Sequence, residues 1–235
     1  MIPWLGDEAV FPPDEQALRE PNGLLAAGGS LSPAWLLAAY RRGIFPWFSD
    51  GEPILWWSPD PRLVLIPEQV HVSHSLRKVL RRQRFEVRTD TAFAAVLRAC
   101  AAPRAPGLGT WITPAMQAAY LRMHELGHAH SVECWHEGRL VGGLYGMALG
   151  RVFFGESMFA LETDASKVAL AYLGRLLSER AYAIIDCQMT TAHLQSMGAR
   201  EMSRAQFVET LARWTPDGPP AQKWAADAAL HFTWP

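Results

Sequence analysis

The order of segments between residues 131 and 188 is the feature that most constrains how this chain can fold. Three apolar segments separated by tight turns are followed by a helical segment and one further apolar segment. The strands are predicted at residues 131–135, 140–148, 152–159 and 183–188, and the helix at residues 165–180. Together with the helices predicted on either side, this order is typical of an α+β domain built on a mostly antiparallel sheet.

Capping signals locate the other helices. Ser32-Pro33 and Thr113-Pro114 each place a hydroxyl at the N-cap and a proline at the first helical position, and Gly43 and Gly127 follow as terminators. The remaining helices are predicted at residues 71–84, 93–100, 191–197 and 203–214, with short strands at 63–66 and 87–88 and a loop at 103–109.

Proline and tryptophan concentrate near the amino terminus. Residues 1–62 contain nine of the 17 prolines and five of the ten tryptophans. Because proline fixes φ and removes a backbone donor, this segment should be rich in loops and have only short elements. We therefore expect two domains, a small one at residues 1–62 and a larger one at residues 63–235.

The composition argues against several classes of protein. With 22 basic and 23 acidic residues the net charge is −1, so nucleic acid would have to be met by a local patch. Three cysteines without a CxxC pair argue against a disulfide framework or a cysteine zinc site. The group Glu125, His128 and His130 lacks the spacing of a zincin helix, so no metal is expected.

Membrane and secretory signals are also missing from the sequence. No window approaches about 18 consecutive apolar residues, the length that spans a bilayer as a helix. The first residues lack the basic stretch and apolar run of a secretory signal. We expect a cytoplasmic protein with no membrane contact.

Two predicted strands of the sheet carry a carboxylate among apolar residues. Strand alternation places Asp186 and Gln188 on the same face, and Glu156 follows Gly155 in an aromatic strand. A carboxylate in such surroundings is costly unless it is paired, and two on one sheet favour a site that recognises a cation. The alternatives are an Asp186 that caps the following helix and a Glu156 at an ordinary strand edge.

A basic segment supplies the only local excess of positive charge that stands out. Residues 71–88 have a local net charge of +5. Arg77, Lys78, Arg81 and Arg82 fall on one helical face. This face is either a solvated surface or a contact for the phosphates of a nucleic-acid backbone.

Several longer strings resemble a known family. They occur in order at residues 19–25 (REPNGLL), 43–48 (GIFPWF), 55–62 (LWWSPDPR), 109–113 (GTWIT), 124–131 (HELGHAHS), 154–159 (FGESMF) and 185–188 (IDCQ). Together they are similar to the leucyl/phenylalanyl-tRNA–protein transferases of bacteria, over nearly the whole chain.

The resemblance implies a fold and an activity. The fold would be a small N-terminal domain followed by a GNAT-like acyltransferase domain. The activity would be transfer of Leu or Phe, less readily Met, from aminoacyl-tRNA to acceptor proteins that begin with Arg or Lys, which creates an N-end-rule degradation signal.

The resemblance also implies which residues form the site. Asp186 and Gln188 would be the catalytic pair, with Glu156 beside them. The substrate pocket and the border of the terminal adenosine would use Phe153, Met158, Ile185, Trp47 and Trp111, together with Leu144, where Met is common, and Leu177, where an aromatic residue can occur.

The chemistry of such a transfer is consistent with this residue set. An aminoacyl ester is already activated, so no cofactor is expected. Gln188 could accept a hydrogen bond from the attacking amine, while Asp186 would hold Gln188 and help attract the cationic acceptor. Two alternatives remain, an acetyl-CoA-dependent N-acetyltransferase and a non-catalytic RNA-binding module. Against the first, residues 159–168 (FALETDASKV) are acidic where a pyrophosphate would bind.

Overall fold

The chain forms two sheets and seven α-helices within the part described by the computed structural model, residues 2–103, 110–216, 218, 220–224 and 229–234. The first sheet has the strand order β1-β2-β4-β3. Its strands are β1 (Trp4–Leu5), β2 (Leu24–Gly28), β3 (Phe45–Pro46) and β4 (Leu55–Trp57), and helix α1 (Pro33–Arg41) joins β2 to β3. The abundant prolines account for how short these strands are.

The second sheet has seven strands in the order β11-β5-β10-β9-β8-β7-β6. They are β5 (Arg62–Leu65), β6 (Glu86–Thr89), β7 (Ala129–His136), β8 (Arg139–Leu149), β9 (Val152–Ala160), β10 (Ile184–Gln188) and β11 (Arg200–Met202). Among the described strands of this sheet, β9 and β10 form the one parallel pair, because a helical crossover connects them. The predicted α+β class with a mostly antiparallel sheet is confirmed.

The remaining helices are α2 (His74–Arg81), α3 (Phe93–Ala101), α4 (Pro114–Glu125), α5 (Ala165–Glu179), α6 (Ala192–Ser196) and α7 (Arg204–Trp214). The prediction of a helix over residues 71–84 is too long at both ends. Ser73 is the N-cap and accepts from the Leu76 N–H, and Gln83 has φ of +47°, which ends the helix. Most of the predicted loop at 103–109 lies outside the described residues.

The helices cover both faces of the second sheet. On one face, α3, α4 and α1 pack in a core that includes Trp56, Phe93 and Phe154. On the other, α2 and α5 pack in a core that includes Leu76, Phe153 and Leu173. Because Trp56 shares its core with residues far along the chain, the two predicted domains share one apolar core, and their boundary stays a prediction. None of the described helices has the length and apolar character needed to cross a membrane.

Candidate active site

A cavity of about 830 Å³ opens beside β9 and β10. The structure brings Leu144, Phe153, Met158 and Ile185 together in its wall. Trp47 and Trp111 line it as well, as do Leu170 and Leu173 of α5. The cavity is thus mainly apolar and is bordered by indole rings.

Leu177 is the exception among the predicted pocket residues. It lies on α5, is fully buried in the core and does not line the cavity. Leu173, one helical turn earlier, occupies the wall instead. Leu177 therefore has no direct contact with an occupant of this cavity.

A β-bulge in each of two adjacent strands shapes the polar side of the cavity. In β9, Gly155 and Ser157 pair with consecutive residues of β8, so Glu156 is the extra residue. In β10, Asp186 and Gln188 pair with consecutive residues of β5, so Cys187 is the extra residue. A bulge re-aims side chains and breaks the alternation of a strand.

Asp186 lies in a fully buried ion pair with Arg62. The guanidinium donates from Nε to Asp186 Oδ1 at 2.8 Å and from Nη2 to Oδ2 at 2.7 Å, and the side chains of Arg62 and Asp186 are 1% and 0% exposed. Arg62 also donates to the Gly43 carbonyl and lies over the Phe45 and Phe207 rings. The ion pair is bidentate. Through its bonds to Asp186 and to the Gly43 carbonyl, Arg62 joins β10 to the loop that follows α1.

The expectation that Asp186 and Gln188 share a face is wrong. Gln188 lines the cavity with Ile185 and Cys187, whereas Asp186 does not line it. The bulge at Cys187 and a φ of +60° at Gln188 rotate the glutamine to the cavity side. Asp186 does hold Gln188, but through the backbone, because its Oδ1 accepts from the Gln188 N–H at 2.9 Å. Its charge is paired with Arg62 and is not available to attract an acceptor.

Glu156 is the carboxylate that does line the cavity. Its Oε1 accepts from the Tyr40 hydroxyl at 2.6 Å and from Gln188 Nε2 at 3.2 Å, and its Oε2 accepts from the Tyr120 hydroxyl at 2.9 Å. Burial raises the pKa of Glu156 to about 7, with the charge of Asp186 acting in the same direction and the hydrogen bonds opposing it. The group is therefore poised to gain or lose a proton near neutral pH.

Several residues at this site were not identified from the sequence. Arg62, Tyr40 and Tyr120 reach Asp186 and Glu156 from elements far away in the chain. The only signal for Arg62 was its place at the end of the string LWWSPDPR. His193 also lines the cavity, and burial lowers its pKa. Its Nε2 has no hydrogen-bond partner among the described residues.

The predicted basic face lies on α2 and on Arg82, the C-cap of this helix. Arg77, Lys78, Arg81 and Arg82 are all exposed, while Leu76 and Leu80 on the opposite side are buried against the core. The amphipathic arrangement predicted for this helix is confirmed. What the face contacts stays a prediction.

No cluster of three or more His, Cys, Asp or Glu side chains that could hold a metal ion occurs among the described residues. Glu156 and Gln188 bring a carboxyl and an amide to the cavity, and the hydroxyls of Tyr40 and Tyr120 lie behind the carboxyl and donate to it. Such a set can accept a hydrogen bond from an amine and exchange a proton with it.

Comparison with known proteins gives matches along most of the chain. The family model described as leucyl/phenylalanyl-tRNA protein transferase matches residues 64–212, and the model of the N-terminal domain of the same transferases matches residues 29–60. A leucyl/phenylalanyl-tRNA–protein transferase of Azoarcus sp. (strain BH72) is 70% identical over 234 residues, 100% of both chains. One of Aromatoleum aromaticum is 66% identical and covers 99% of this chain and 98% of the relative.

Among solved structures, a GCN5-related N-acetyltransferase from Kribbella flavida matches with a TM-score of 0.40 and 11% identity, over 73% of this chain and 61% of that chain. A TM-score this low does not assign a fold. The GNAT-like character of the larger domain therefore stays a prediction.

Proposed function

The chain belongs to the leucyl/phenylalanyl-tRNA–protein transferase family, and on that premise we propose that it transfers Leu or Phe, less readily Met, from aminoacyl-tRNA to the N-terminal Arg or Lys of acceptor proteins. The added residue would mark the acceptor for degradation by the N-end rule, in the cytoplasm. The observation that carries the proposal is the cavity in which an apolar wall meets Glu156 and Gln188.

The apolar wall fits the side chain of the transferred amino acid. Leu144, Phe153, Met158 and Ile185 offer no polar atom to it, so affinity would come from burial of apolar surface. The indoles of Trp47 and Trp111 offer flat surfaces to the terminal adenosine of the tRNA. Stacking of a base on an aromatic side chain contributes about 1–3 kcal/mol.

Gln188 would orient the attacking amine. Its Nε2 donates to Glu156, which leaves the amide oxygen free to accept from an amine in the cavity. The α-amine of a peptide has a pKa of about 7.7–8.0, so part of it is neutral and nucleophilic at pH 7. With an activated ester as substrate, catalysis would be chiefly positioning, which can lower a barrier by about 7–11 kcal/mol.

The cationic acceptor would be drawn by Glu156 rather than by Asp186. Among the described residues, the hydrogen-bond partners of Glu156 are all neutral, whereas Asp186 is bound to Arg62. A carboxylate with neutral partners keeps its attraction for a guanidinium or ammonium group.

The proposal is tested by incubating the protein with Leu-tRNA and a peptide that begins with Arg, and measuring the peptide mass. We expect the addition of one Leu residue, and none to a matched peptide that begins with Asp. Ile-tRNA serves as the control for the cavity, because the branched Cβ of Ile is stiff. A misfit of this size should lower kcat/KM by about 10–200-fold.

Two outcomes would contradict this proposal. If the Arg peptide gained no Leu from Leu-tRNA, the transfer would be excluded. If the peptide were then acetylated in the presence of acetyl-CoA, the N-acetyltransferase alternative would be favoured. Equal kcat/KM for Ile-tRNA and Leu-tRNA would show that the apolar wall does not hold the amino-acid side chain.

The basic face of α2 gives a separate prediction. Arg81→Ala combined with Arg82→Ala should raise KM for charged tRNA and leave kcat nearly unchanged, because each Arg would contact a phosphate. The slope of log Kd against log salt should fall by about 2, since each lost phosphate contact removes about one unit.

The matched control for the basic face is Arg122→Ala combined with Arg175→Ala. These two Arg are also exposed, but each is paired with a Glu on its own helix. Replacing both by Ala should leave the slope of log Kd against log salt unchanged. A salt slope unaffected by the substitutions at residues 81 and 82 would make the face of α2 an ordinary solvated surface.

A further inference from the structure

Glu156, Tyr40 and Tyr120 form a closed ring of oxygen contacts. The Tyr40 hydroxyl lies 2.6 Å from Glu156 Oε1, and the Tyr120 hydroxyl lies 2.9 Å from Oε2. The two hydroxyl oxygens are 2.5 Å apart, within hydrogen-bond distance of each other. All three side chains are buried, with Glu156 8% exposed, and Tyr40 comes from α1 in the amino-terminal part of the chain.

The number of protons in this ring depends on the state of the carboxyl. The ring has three oxygen–oxygen contacts, but the two phenols supply only two protons. If Glu156 is ionised, one contact has no proton between its oxygens. If Glu156 is protonated, each of the three contacts has one proton. One carboxyl oxygen then donates to one hydroxyl, that hydroxyl donates to the other, and the second hydroxyl donates to the remaining carboxyl oxygen. The geometry therefore accommodates a protonated Glu156. It also accommodates an ionised Glu156, which accepts a hydrogen bond from each of the two phenols.

The groups around Glu156 also allow both its protonated and its ionised form near neutral pH. Burial raises the pKa of Glu156 to about 7, and the raised pKa values of the surrounding tyrosines keep their hydroxyls neutral. Among the described residues, the titratable and charged groups that interact with Glu156 are Tyr40, Tyr120, Tyr145 and Asp186, the last of which is paired with Arg62. Cys100, Cys187 and His193 line the same cavity. The charge of Asp186 favours the protonated form of Glu156.

We propose that Glu156 carries the proton of the transfer reaction from the attacking amine to the leaving ribose oxygen, and that Tyr40 and Tyr120 are positioning residues that hold its carboxyl in both states. This inference rests on the proposed function. Asp186 is not available for the role, since Arg62 and the Gln188 N–H bind its oxygens and it does not line the cavity.

The proton balance of the step is simple. The amine nitrogen forms a bond to the ester carbonyl carbon, and the bond from that carbon to the ribose oxygen breaks. The nitrogen loses one proton to Glu156 Oε1, and the same carboxyl gives one proton to the ribose oxygen that leaves. Glu156 ends the cycle ionised, as it began, and no further reactant is consumed. A carboxyl with a pKa near 7 is suited to both transfers.

The step predicts a distinct pH profile. An ionised Glu156 is needed to accept the proton, so the single-turnover rate at saturating Leu-tRNA and Arg peptide should rise with pH through about 7. The acceptor amine adds its own rise at about pH 7.7–8.0. Glu156→Gln should lower the rate by at least about 10²-fold and leave only the rise that belongs to the amine.

Tyr40→Phe and Tyr120→Phe test the positioning role. Each removes a charge-assisted hydrogen bond to the ionised carboxyl. The hydrogen bonds from both tyrosines lower the pKa of Glu156, so the loss of either one disfavours the ionised form. The lower apparent pKa of the profile should therefore move up by about half a unit to one unit in each variant. Tyr182→Phe, at a tyrosine outside the ring, is the matched control and should leave the profile in place.

An infrared measurement tests the protonation without activity. The free protein should show the carbonyl band of a protonated carboxyl that disappears as the pH rises through about 7 and is absent in Glu156→Gln. Absence of this band from the wild-type protein at pH 6 would overturn the proposal.

The rates and pH profiles of the variants can overturn the proton-transfer proposal independently of the infrared measurement. A Glu156→Gln rate within about threefold of wild type would exclude the proton transfer, and an unmoved pKa in both tyrosine variants would exclude the positioning role. If Glu156→Gln does not fold, the tyrosine variants decide. A wild-type protein that transfers no residue would instead contradict the proposed function, so the two failures are distinguishable.

Discussion

Replacing Asp186 by Asn is expected to lower the free energy of unfolding by about 3–5 kcal/mol, because the change leaves Arg62 as a buried cation without its anion. The substituted amide keeps one oxygen that can accept from the guanidinium, but it carries no charge. Urea unfolding of the two proteins at pH 7 measures the difference. The activity of the variant should also fall, by at least about 10²-fold in kcat, because the backbone of Gln188 loses its charged acceptor.

Two control variants isolate the role of burial. Glu125→Gln breaks the pair between Arg122 and Glu125, whose side chains are 57% and 60% exposed, and should cost less than about 1 kcal/mol. Arg62→Met combined with Asp186→Leu removes both charges, and should recover much of the stability while the activity stays low. A loss below about 1 kcal/mol for Asp186→Asn alone would show that the pair is not required for folding.

Gln188→Ala is expected to lower kcat by at least about 10²-fold with little change in stability or in tRNA affinity. The variant removes the amide oxygen that would accept from the amine and the Nε2 that donates to Glu156. Gln188 is half-buried and lines the cavity, so few core contacts are lost. Single-turnover transfer at saturating Leu-tRNA and Arg peptide measures the effect, and filter binding gives the Kd for charged tRNA.

Gln195→Ala is the matched control for this prediction. Gln195 lies nearby on α6, is exposed and does not line the cavity. Its loss should leave kcat within about threefold. If Gln188→Ala lost tRNA binding in step with activity, the glutamine would have a structural role and its catalytic assignment would be withdrawn.

The local signals in the sequence predicted most elements of the second sheet and its helices. Ser203 forms a full capping box with Gln206, and Thr113 accepts from the Met116 N–H, so the helices begin where these residues indicate. Such signals act within a few residues of each other. The strands of the first sheet were not predicted individually, because each has few residues and proline interrupts their patterns.

The wall of the cavity was easier to predict than its polar side. Phe153 and Ile185 needed only to lie on neighbouring strands, whereas the orientation of Gln188 depends on a bulge of one residue, which strand alternation does not reveal. Tyr40 could not be identified as a partner of Glu156, because no local pattern links residues that are 116 positions apart.

The distance along the chain between these partners bears on when the protein becomes active during its synthesis. The partner of Tyr40, Glu156, is 116 positions later in the chain, and the partner of Arg62, Asp186, is 124 positions later. Closing loops of this length costs entropy before the contact can repay it, so such contacts form late in folding. A growing polypeptide that has not yet emerged from the ribosome as far as β10 has neither the anion for Arg62 nor the glutamine for the amine. An incomplete chain therefore lacks part of the proposed transfer site, and we expect a ribosome that stalls before β10 to release a chain without transfer activity.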